Sequence, residues 1–387
     1  MPFEKPSATL ATPGHPIERL PGEWEALLAE WDEPRYRGAQ IFKWIHARGV
    51  LDPSAMSDLP KRLRDRLSEV MDPAPLTIAD KHETPDGTRK LLLSLHGGES
   101  VEAVLIPQLS KQDLDAHDNE LEATGPAHTR VTQCISSEVG CAMGCVFCAS
   151  GAAGLKRKMA GFEIISQVLI GRNELHDHER LRNVVFMGMG EPLNNYDAVA
   201  RAWFLCTHPD GIGLSTRHVT ISTSGLVPEI DQLGHDFHGK VALAVSLHAV
   251  DDDRRSALMP INRKYPLKEL IAALRRYPLP RRRRITIEYT LIADVNDDPN
   301  DAQALVRLLR GVPIKVNLIP MNAVPWSPLR APTIESVHAF QTRLFDLGVP
   351  TFVRKRRGDE IAAACGQLAL HGGTPRAALK KQLATLS

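Results

Sequence analysis

Aromatic residues make up only 5% of the 387 positions. No apolar run approaches the ~18 residues a membrane-spanning helix requires, which excludes a helical membrane protein. The opening stretch, MPFEKPSATLATPGHPIERL, lacks the continuous apolar segment of a secretory signal, so a cytoplasmic location is expected. Net charge is almost absent: 47 Lys and Arg against 46 Asp and Glu leave +1, which argues neither for nor against a nucleic-acid partner. Cysteine is scarce, with six residues. Four of them, Cys134, Cys141, Cys145 and Cys148, crowd into one short stretch, while Cys206 and Cys365 stand alone. Such crowding in a chain without a secretory signal points to metal or redox chemistry, not to a disulfide framework.

What is present is the raw material of a large core, 43% hydrophobic residues with 24% charged, in a chain long enough for two or three domains. Residues 1–22 read as a flexible, Pro-rich lead. From 23 to 70 the spacing is helical, with Trp24, Leu27, Leu28 and Trp31 on one stripe. Strand-like runs follow at 76–78, 90–95 and 101–106, and Asp86-Gly87 and Gly97-Gly98 supply the turns. Residues 23–107 are therefore expected to form a small helical domain with a β-hairpin element, and the polar stretch 108–129 a loop insertion. Within 130–367 a rhythm begins. Val- and Ile-rich runs at 130–135, 183–187, 218–222, 241–247, 285–291 and 314–319, then 351–354, are mostly separated by helical segments at 162–176, 194–207, 266–277, 298–311 and 333–347. Strands alternating with helices predict an α/β fold with a parallel sheet. Six units are too few for an eight-fold closure, so a partial (β/α)6 barrel is expected, its functional edge at the C-terminal ends of the strands. A doubly wound open sheet is the alternative. Residues 368–387 read as a basic tail.

The word Cys141-Ala-Met-Gly-Cys145-Val-Phe-Cys148 directly follows the first strand of this rhythm. Three thiolates on one short loop suit three irons of a [4Fe–4S] cluster, leaving the fourth iron open to an external ligand. Gly140 and Gly144 let the loop backbone curl. The competing reading is a structural zinc site with Cys134 as fourth ligand, although no second C-x2-C knuckle exists to complete it. Gly188-Met-Gly-Glu191 ends the next strand, where tight backbone and a carboxylate, Glu191, could meet a cationic group. Ser222, Ser246, His248 and Asn322 also fall at expected strand ends, where hydroxyl, imidazole and amide groups suit a polar ligand. Each of these, taken singly, also reads as an ordinary strand-end polar group.

The C-x3-C-x2-C loop with Phe147 before its last cysteine resembles the signature of the radical S-adenosylmethionine superfamily. The surrounding words narrow the match: Cys134-Ile-Ser-Ser-Glu-Val-Gly-Cys141, Gly188-Met-Gly-Glu-Pro-Leu-Asn-Asn195, Ser222-Thr-Ser-Gly225, Ser246-Leu-His248, Asn317-Leu-Ile-Pro-Met-Asn322, and Arg357-Gly-Asp359 through Cys365-Gly366. In this order they resemble the RlmN/Cfr family of rRNA adenine methyltransferases. Tyr36-Arg37-Gly-Ala-Gln-Ile-Phe-Lys-Trp44 resembles the accessory RNA-binding domain of its RlmN branch.

The resemblance implies a dual-specificity enzyme that methylates C2 of adenine 2503 in 23S rRNA and of adenine 37 in tRNAs. Cys141, Cys145 and Cys148 would hold one [4Fe–4S] cluster per chain. Gly190, Glu191, Ser222, Ser246, Leu247, His248 and Asn322 would bind S-adenosylmethionine. A first S-adenosylmethionine would methylate Cys365 by displacement. A second, cleaved at the cluster, would give a 5′-deoxyadenosyl radical that takes hydrogen from the S-methyl group, and the carbon radical would add to C2. Glu102, alone in the apolar strand 101–106, would remove the C2 proton as general base. Cys134 would then attack the Cys365 sulfur and release the RNA, leaving a disulfide. The implied partners are 23S rRNA, tRNA and an electron donor such as flavodoxin or ferredoxin, with the enzyme a monomer. Cys206 reads as core. Basic runs at 156–158, 281–284 and 354–357 are candidates for phosphate contact. The C8-methylating Cfr type, a radical enzyme activating a glycyl-radical partner, and a non-catalytic zinc-stabilised RNA-binding protein are the competing functions.

Overall fold

The computed structural model describes residues 13–108, 128–322, 324, 327–354, 361 and 366–368. The segment 109–127, the tail from 369 and Cys365 itself lie outside the described residues.

The helical module starts with α1 (Pro21–Glu30), whose first turn carries Pro21 and is closed by Glu23, whose carboxylate accepts the Leu20 N–H at 2.8 Å. Trp24 and Leu28, one helical turn apart, are fully buried. The helices α2 (Arg37–Phe42) and α3 (Lys61–Val70) complete the module. It is fastened to the rest of the chain through buried polar contacts. Arg201 grips the Glu23 carboxylate through both terminal nitrogens, at 2.9 and 3.1 Å, and donates to the Glu18 carbonyl at 3.0 Å. Arg172 donates to the carbonyls of His46 and Ala47. A planar, forked guanidinium suits such paired acceptors better than an ammonium would.

The sheet runs in the order β1-β2-β3-β4-β7-β8-β9-β10-β11-β12. Its first part is an antiparallel meander of β1 (Thr77–Glu83), β2 (Arg89–Ser94) and β3 (Ser100–Pro107), which joins β4 (Thr129–Cys134) edge to edge. From β4 onward every neighbour is parallel: β7 (Glu179–Phe186), β8 (Val219–Thr223), β9 (Ala242–Ser246), β10 (Ile285–Leu291), β11 (Ile314–Pro320) and the short β12 (Thr351–Val353). The two-residue strands β5 (Glu138–Val139) and β6 (Arg157–Lys158) pair separately. The hairpin strands thus extend the main sheet and do not form a sheet of their own.

Burial separates the partial barrel from a doubly wound sheet. All seven residues of β10 are buried, as expected when both faces of a parallel strand are covered. Its two faces differ, however. Ile285, Ile287 and Leu291 are fully buried in the main core, as is Tyr289, which stacks on Phe340 of the helix Ile334–Asp346. Thr286, Glu288 and Thr290 point the other way, and Glu288 meets Asn317 of β11, its register partner, at 3.0 Å. One cavity is lined together by Asn183, Thr220, Ala242, Thr286 and Lys315, one residue from each of five consecutive strands. Such convergence requires the sheet to curve round a lumen.

Most expected helices appear within a few residues of their expected ends. Three among the described residues were not anticipated: Val227–Phe237, Asp252–Leu258 and the short Ala149–Ala153. The first buries Val227, Ile230, Leu233 and Phe237, a helical stripe, but its Pro228 and Gly234 read as breaks. Pro228 sits in the first turn, where its missing N–H costs nothing. The strand β1 runs further than expected, because an exposed outer strand needs no apolar alternation to pair.

Candidate active site

The loop that carries the cysteines leaves β4 through β5 and ends at the short helix Ala149–Ala153. Gly140 has φ +80°, and a Cβ there would lie 1.9 Å from the Gly154 carbonyl oxygen, so only glycine fits the close approach of the two loop arms. Beneath the loop a second, small apolar cluster gathers Val146, Ala152, Leu258, Met259, Ile292 and Met321. This cluster packs against Cys145; Cys141 is buried, and Cys145 and Cys148 are partly exposed. Cys141, Cys145 and Cys148 all line one pocket at the C-terminal edge of the barrel. Burial, then mutual repulsion, raises the pKa of Cys141 and Cys145 well above that of a free thiol. The thiols therefore stay protonated unless cations neutralise the charge, the setting a multi-iron group would relieve. Cys134, the fourth ligand of the zinc reading, does not line the pocket that the other three cysteines share.

The opposite wall is the Gly188–Glu191 turn, cradled by the segment after β4. Gly188 N–H donates to the Ile135 carbonyl at 3.0 Å, and Met189 N–H donates to Ser136 Oγ at 2.9 Å. Glu138 accepts the Glu191 N–H at 2.9 Å and the Asn194 amide at 2.6 Å. A Cβ on Gly188 or Gly190 would come within 2.7 Å of this segment's backbone, which explains both glycines. The Glu191 carboxylate accepts backbone N–H groups of Leu193 at 3.1 Å and Ser224 at 2.7 Å, so it clamps the ends of β7 and β8 together. Burial raises its pKa, and a cationic ligand would restore the charged form. Spare lone pairs on each oxygen leave it able to accept from such a ligand.

Gly190, Ser222, Ser246, His248 and Asn322 line the same pocket. Leu247 does not: it is fully buried core, joined through its backbone to Glu288 and Arg255. His248 adopts φ +59°, and its Nδ1 accepts the Thr290 N–H at 2.9 Å, so the neutral ring carries its proton on Nε2. Burial, then the charge of Arg255, lowers its pKa to about 3. Its ring meets Phe147 edge-on with centroids 4.8 Å apart.

Glu102 and Cys134 lie on the adjacent strands β3 and β4 and are both buried, but neither lines this pocket. Glu102 Oε1 is 3.1 Å from Lys90 Nζ, a buried ion pair, and its carbonyl accepts from Ser136 Oγ at 2.7 Å. Cys134 is in register with Val104 and Val185. Gly366, which follows Cys365 in sequence, does line the pocket and accepts the Ala149 N–H at 2.7 Å. Cys206 is fully buried core. In the run 156–158, Arg157 is engaged by Glu99 and Glu163. The run 281–284 precedes β10 and lies at the far end of the barrel from the cysteines. Of the run 354–357 only Arg354 is described; it pairs with Glu288 at 3.2 Å.

Sequence reasoning missed Arg255, whose buried guanidinium donates to the Leu247, Ser224 and Ser246 carbonyls and to Asn262. Its surroundings, Asp251-Asp-Asp-Arg-Arg255, read as a charged surface, and no local signal distinguishes it. It also missed Glu288, a carboxylate inside an apolar strand, which lines the pocket.

Comparison with known proteins agrees with this geometry. Residues 135–306 match the radical SAM superfamily, and residues 22–72 match the ribosomal RNA large subunit methyltransferase N-terminal domain. The chain is 58% identical over 381 residues to the dual-specificity RNA methyltransferase RlmN of Sorangium cellulosum, covering 95% of this chain and 98% of that one. It is 44% identical to the protein of the same description from Syntrophobacter fumaroxidans, over 89% of this chain and 96% of that one. A crystal structure of a radical SAM methyltransferase from Sphaerobacter thermophilus superposes with a TM-score of 0.81 at 42% identity, covering 92% of this chain and 99% of that chain. A curved α/β sheet with three cysteines at its C-terminal edge, and relatives this close over almost the whole length, give one conclusion: the chain belongs to the RlmN family of radical S-adenosylmethionine RNA methyltransferases.

Proposed function

We propose that this protein methylates C2 of adenine in 23S rRNA and in tRNA, with Cys365 as methyl carrier and Cys134 as resolving thiol. One observation carries the reading: the three-cysteine loop, the Gly188–Glu191 turn and Gly366 all border one pocket. Cys141, Cys145 and Cys148 would hold a [4Fe–4S] cluster, one per chain. Such a cluster would supply one-electron reductive cleavage of bound S-adenosylmethionine, radical chemistry that suits an electron-poor carbon ordinary methyl transfer cannot reach.

The protein's own groups do the rest. Glu191 and the Ser222, Ser246, His248 and Asn322 side chains orient the cofactor's ammonium, carboxylate and ribose groups. The apolar cluster under the cysteine loop excludes water that would quench a radical. Cys365 accepts a methyl group on sulfur and presents it to the adenine. Glu102, on the strand beside Cys134 and held by a buried ion pair with Lys90, takes the C2 proton. Cys134 then attacks the Cys365 sulfur and frees the RNA. RNA binding is assigned to the N-terminal helical module, which Arg201 and Arg172 lock against the barrel.

The test is mass mapping of methyladenosine in rRNA and tRNA treated with anaerobically reconstituted enzyme. 2-Methyladenosine in both is expected, with loss of product, iron and visible absorbance in Cys145→Ala. 8-Methyladenosine would move the assignment to the Cfr type, and full methylation by Cys145→Ala would overturn the site.

A further inference from the structure

The barrel lumen has a second opening at the N-terminal ends of its strands. Thr286, near the start of β10, lines this lower cavity, whereas Thr290, near its end, lines the pocket with the cysteines. A strand of this length rises about 20 Å, so the openings lie at opposite ends of the lumen. Met187, Glu288 and Arg354 border both cavities and form the floor between them.

The lower mouth is strongly one-signed. Arg217, Lys315 and the four arginines 281–284 line it. Among the described lining residues Glu288 is the only carboxylate, and it is already paired with Arg354. His218 stands behind the wall. Its Nδ1 meets Asn183 Oδ1 at 2.8 Å and its Nε2 accepts from Arg217 Nε at 3.3 Å, so the ring is the neutral tautomer and adds no further positive charge. Arg283 is oriented by a bond from Nη2 to Thr216 Oγ1 at 3.0 Å.

The rim turn adds an independent sign. Arg283 N–H donates to the Pro280 carbonyl at 3.0 Å, which closes a four-residue turn, and Arg282, at its third position, has φ +68°. That position favours glycine or asparagine, and a residue with a Cβ costs about 1 kcal/mol there. An exposed arginine held in strained backbone, beside like charges in a concave mouth, calls for a function of its guanidinium. Like charges on low-dielectric walls focus potential, and guanidinium forks match phosphate oxygens.

We infer that the N-terminal mouth of the barrel, rimmed by Arg281, Arg282, Arg283 and Arg284 and walled by Arg217 and Lys315, is a binding site for phosphate groups, distinct from the pocket that carries the cysteines. The phosphates belong either to the backbone of an RNA substrate that reaches round the barrel or to a free polyphosphate. The recognition chemistry is the same for both.

The test titrates reconstituted enzyme with inorganic tripolyphosphate by calorimetry at low salt. Arg282→Gly relieves the strained turn and so keeps the protein folded, and Arg281→Gln/Arg284→Gln removes two rim charges. Both should weaken binding by about tenfold or more, with the cluster absorbance unchanged. Lys268→Gln/Arg330→Gln, an equal charge loss at exposed positions elsewhere, should leave affinity intact. A wild type without saturable binding, or a control that weakens it as much as the rim variants, overturns the site. A substrate RNA oligonucleotide separates the sources. Loss of RNA affinity in the rim variants, with competition by tripolyphosphate, assigns the site to RNA backbone; unchanged RNA affinity assigns it to a free anion. Neither readout depends on methylation, so failure here leaves the adenine-C2 reading standing, and the reverse holds too.

Discussion

Replacing Arg255 by alanine is expected to destabilise the fold and weaken S-adenosylmethionine binding together, because one side chain ties the ends of β8 and β9 beneath the pocket. The guanidinium donates to Ser224 O at 2.7 Å, Asn262 Oδ1 at 2.9 Å, Ser246 O at 3.0 Å and Leu247 O at 3.1 Å. Burial opposes it. Desolvation lowers its pKa to about 10, partly offset by the nearby Asp252 carboxylate. That corresponds to a cost of about 3 kcal/mol. Hydrogen bonds from a charged donor contribute about 1.5–3 kcal/mol each, so four outweigh the desolvation. With allowance for non-additivity, Arg255→Ala should lose about 4 kcal/mol. Arg255→Lys keeps the charge but not the fork, and should lose about half of that. Urea unfolding followed by tryptophan fluorescence measures the first effect, and equilibrium dialysis with S-adenosylmethionine measures the second, expected to weaken by about tenfold or more. An Arg255→Ala protein with an unchanged urea midpoint and unchanged cofactor affinity would refute the reasoning, since four buried acceptors would then have lost their donor at no cost.

Two further outcomes are expected. Cys134→Ala should accumulate protein covalently joined to RNA, seen as a nuclease-sensitive shift on a denaturing gel, whereas Cys365→Ala should give neither adduct nor methylated RNA; normal turnover by Cys134→Ala removes the resolving role. Acid should loosen the fold through His46 and His218, whose pKa values burial lowers from 6.5 to about 3. Above pH 6.5 both states hold these rings neutral. Between 6.5 and about 3 only the unfolded chain takes up the protons, so stability falls as pH drops, by about 1.4 kcal/mol per pH unit for each ring. His46→Gln should flatten that slope in urea midpoints measured from pH 7 to 5, and an unaltered slope would show that His46 is not held neutral.

How far each feature could be read in advance depended on how local its cause was. The cysteine loop was legible because cysteines this close in sequence stay together on one loop, and all three do line one pocket. The strand–helix alternation was legible because a parallel strand covered on both faces is a short apolar run, and the helices between are amphipathic. Gly188, Gly190 and Glu191 stood out because a tight turn after a strand needs glycine, yet which backbone they pressed against emerged only with the fold. Glu138 and Ser136 hold that turn from a different segment, and nothing in their own neighbourhood marks them. Arg255 in an acidic, exposed-looking stretch and Glu288 inside an apolar strand acquired meaning only when curvature brought their partners to them. The same holds for the arginines 281–284, which the sequence shows as a charge run and the fold carries to the end of the lumen away from the cysteines. The sequence by itself determined that three cysteines share one loop and set the period of the barrel, because both depend on spacing over a few residues. Tertiary structure alone decided which polar groups share a cavity and which are buried against a partner, because those depend on contacts between residues tens or hundreds of positions apart.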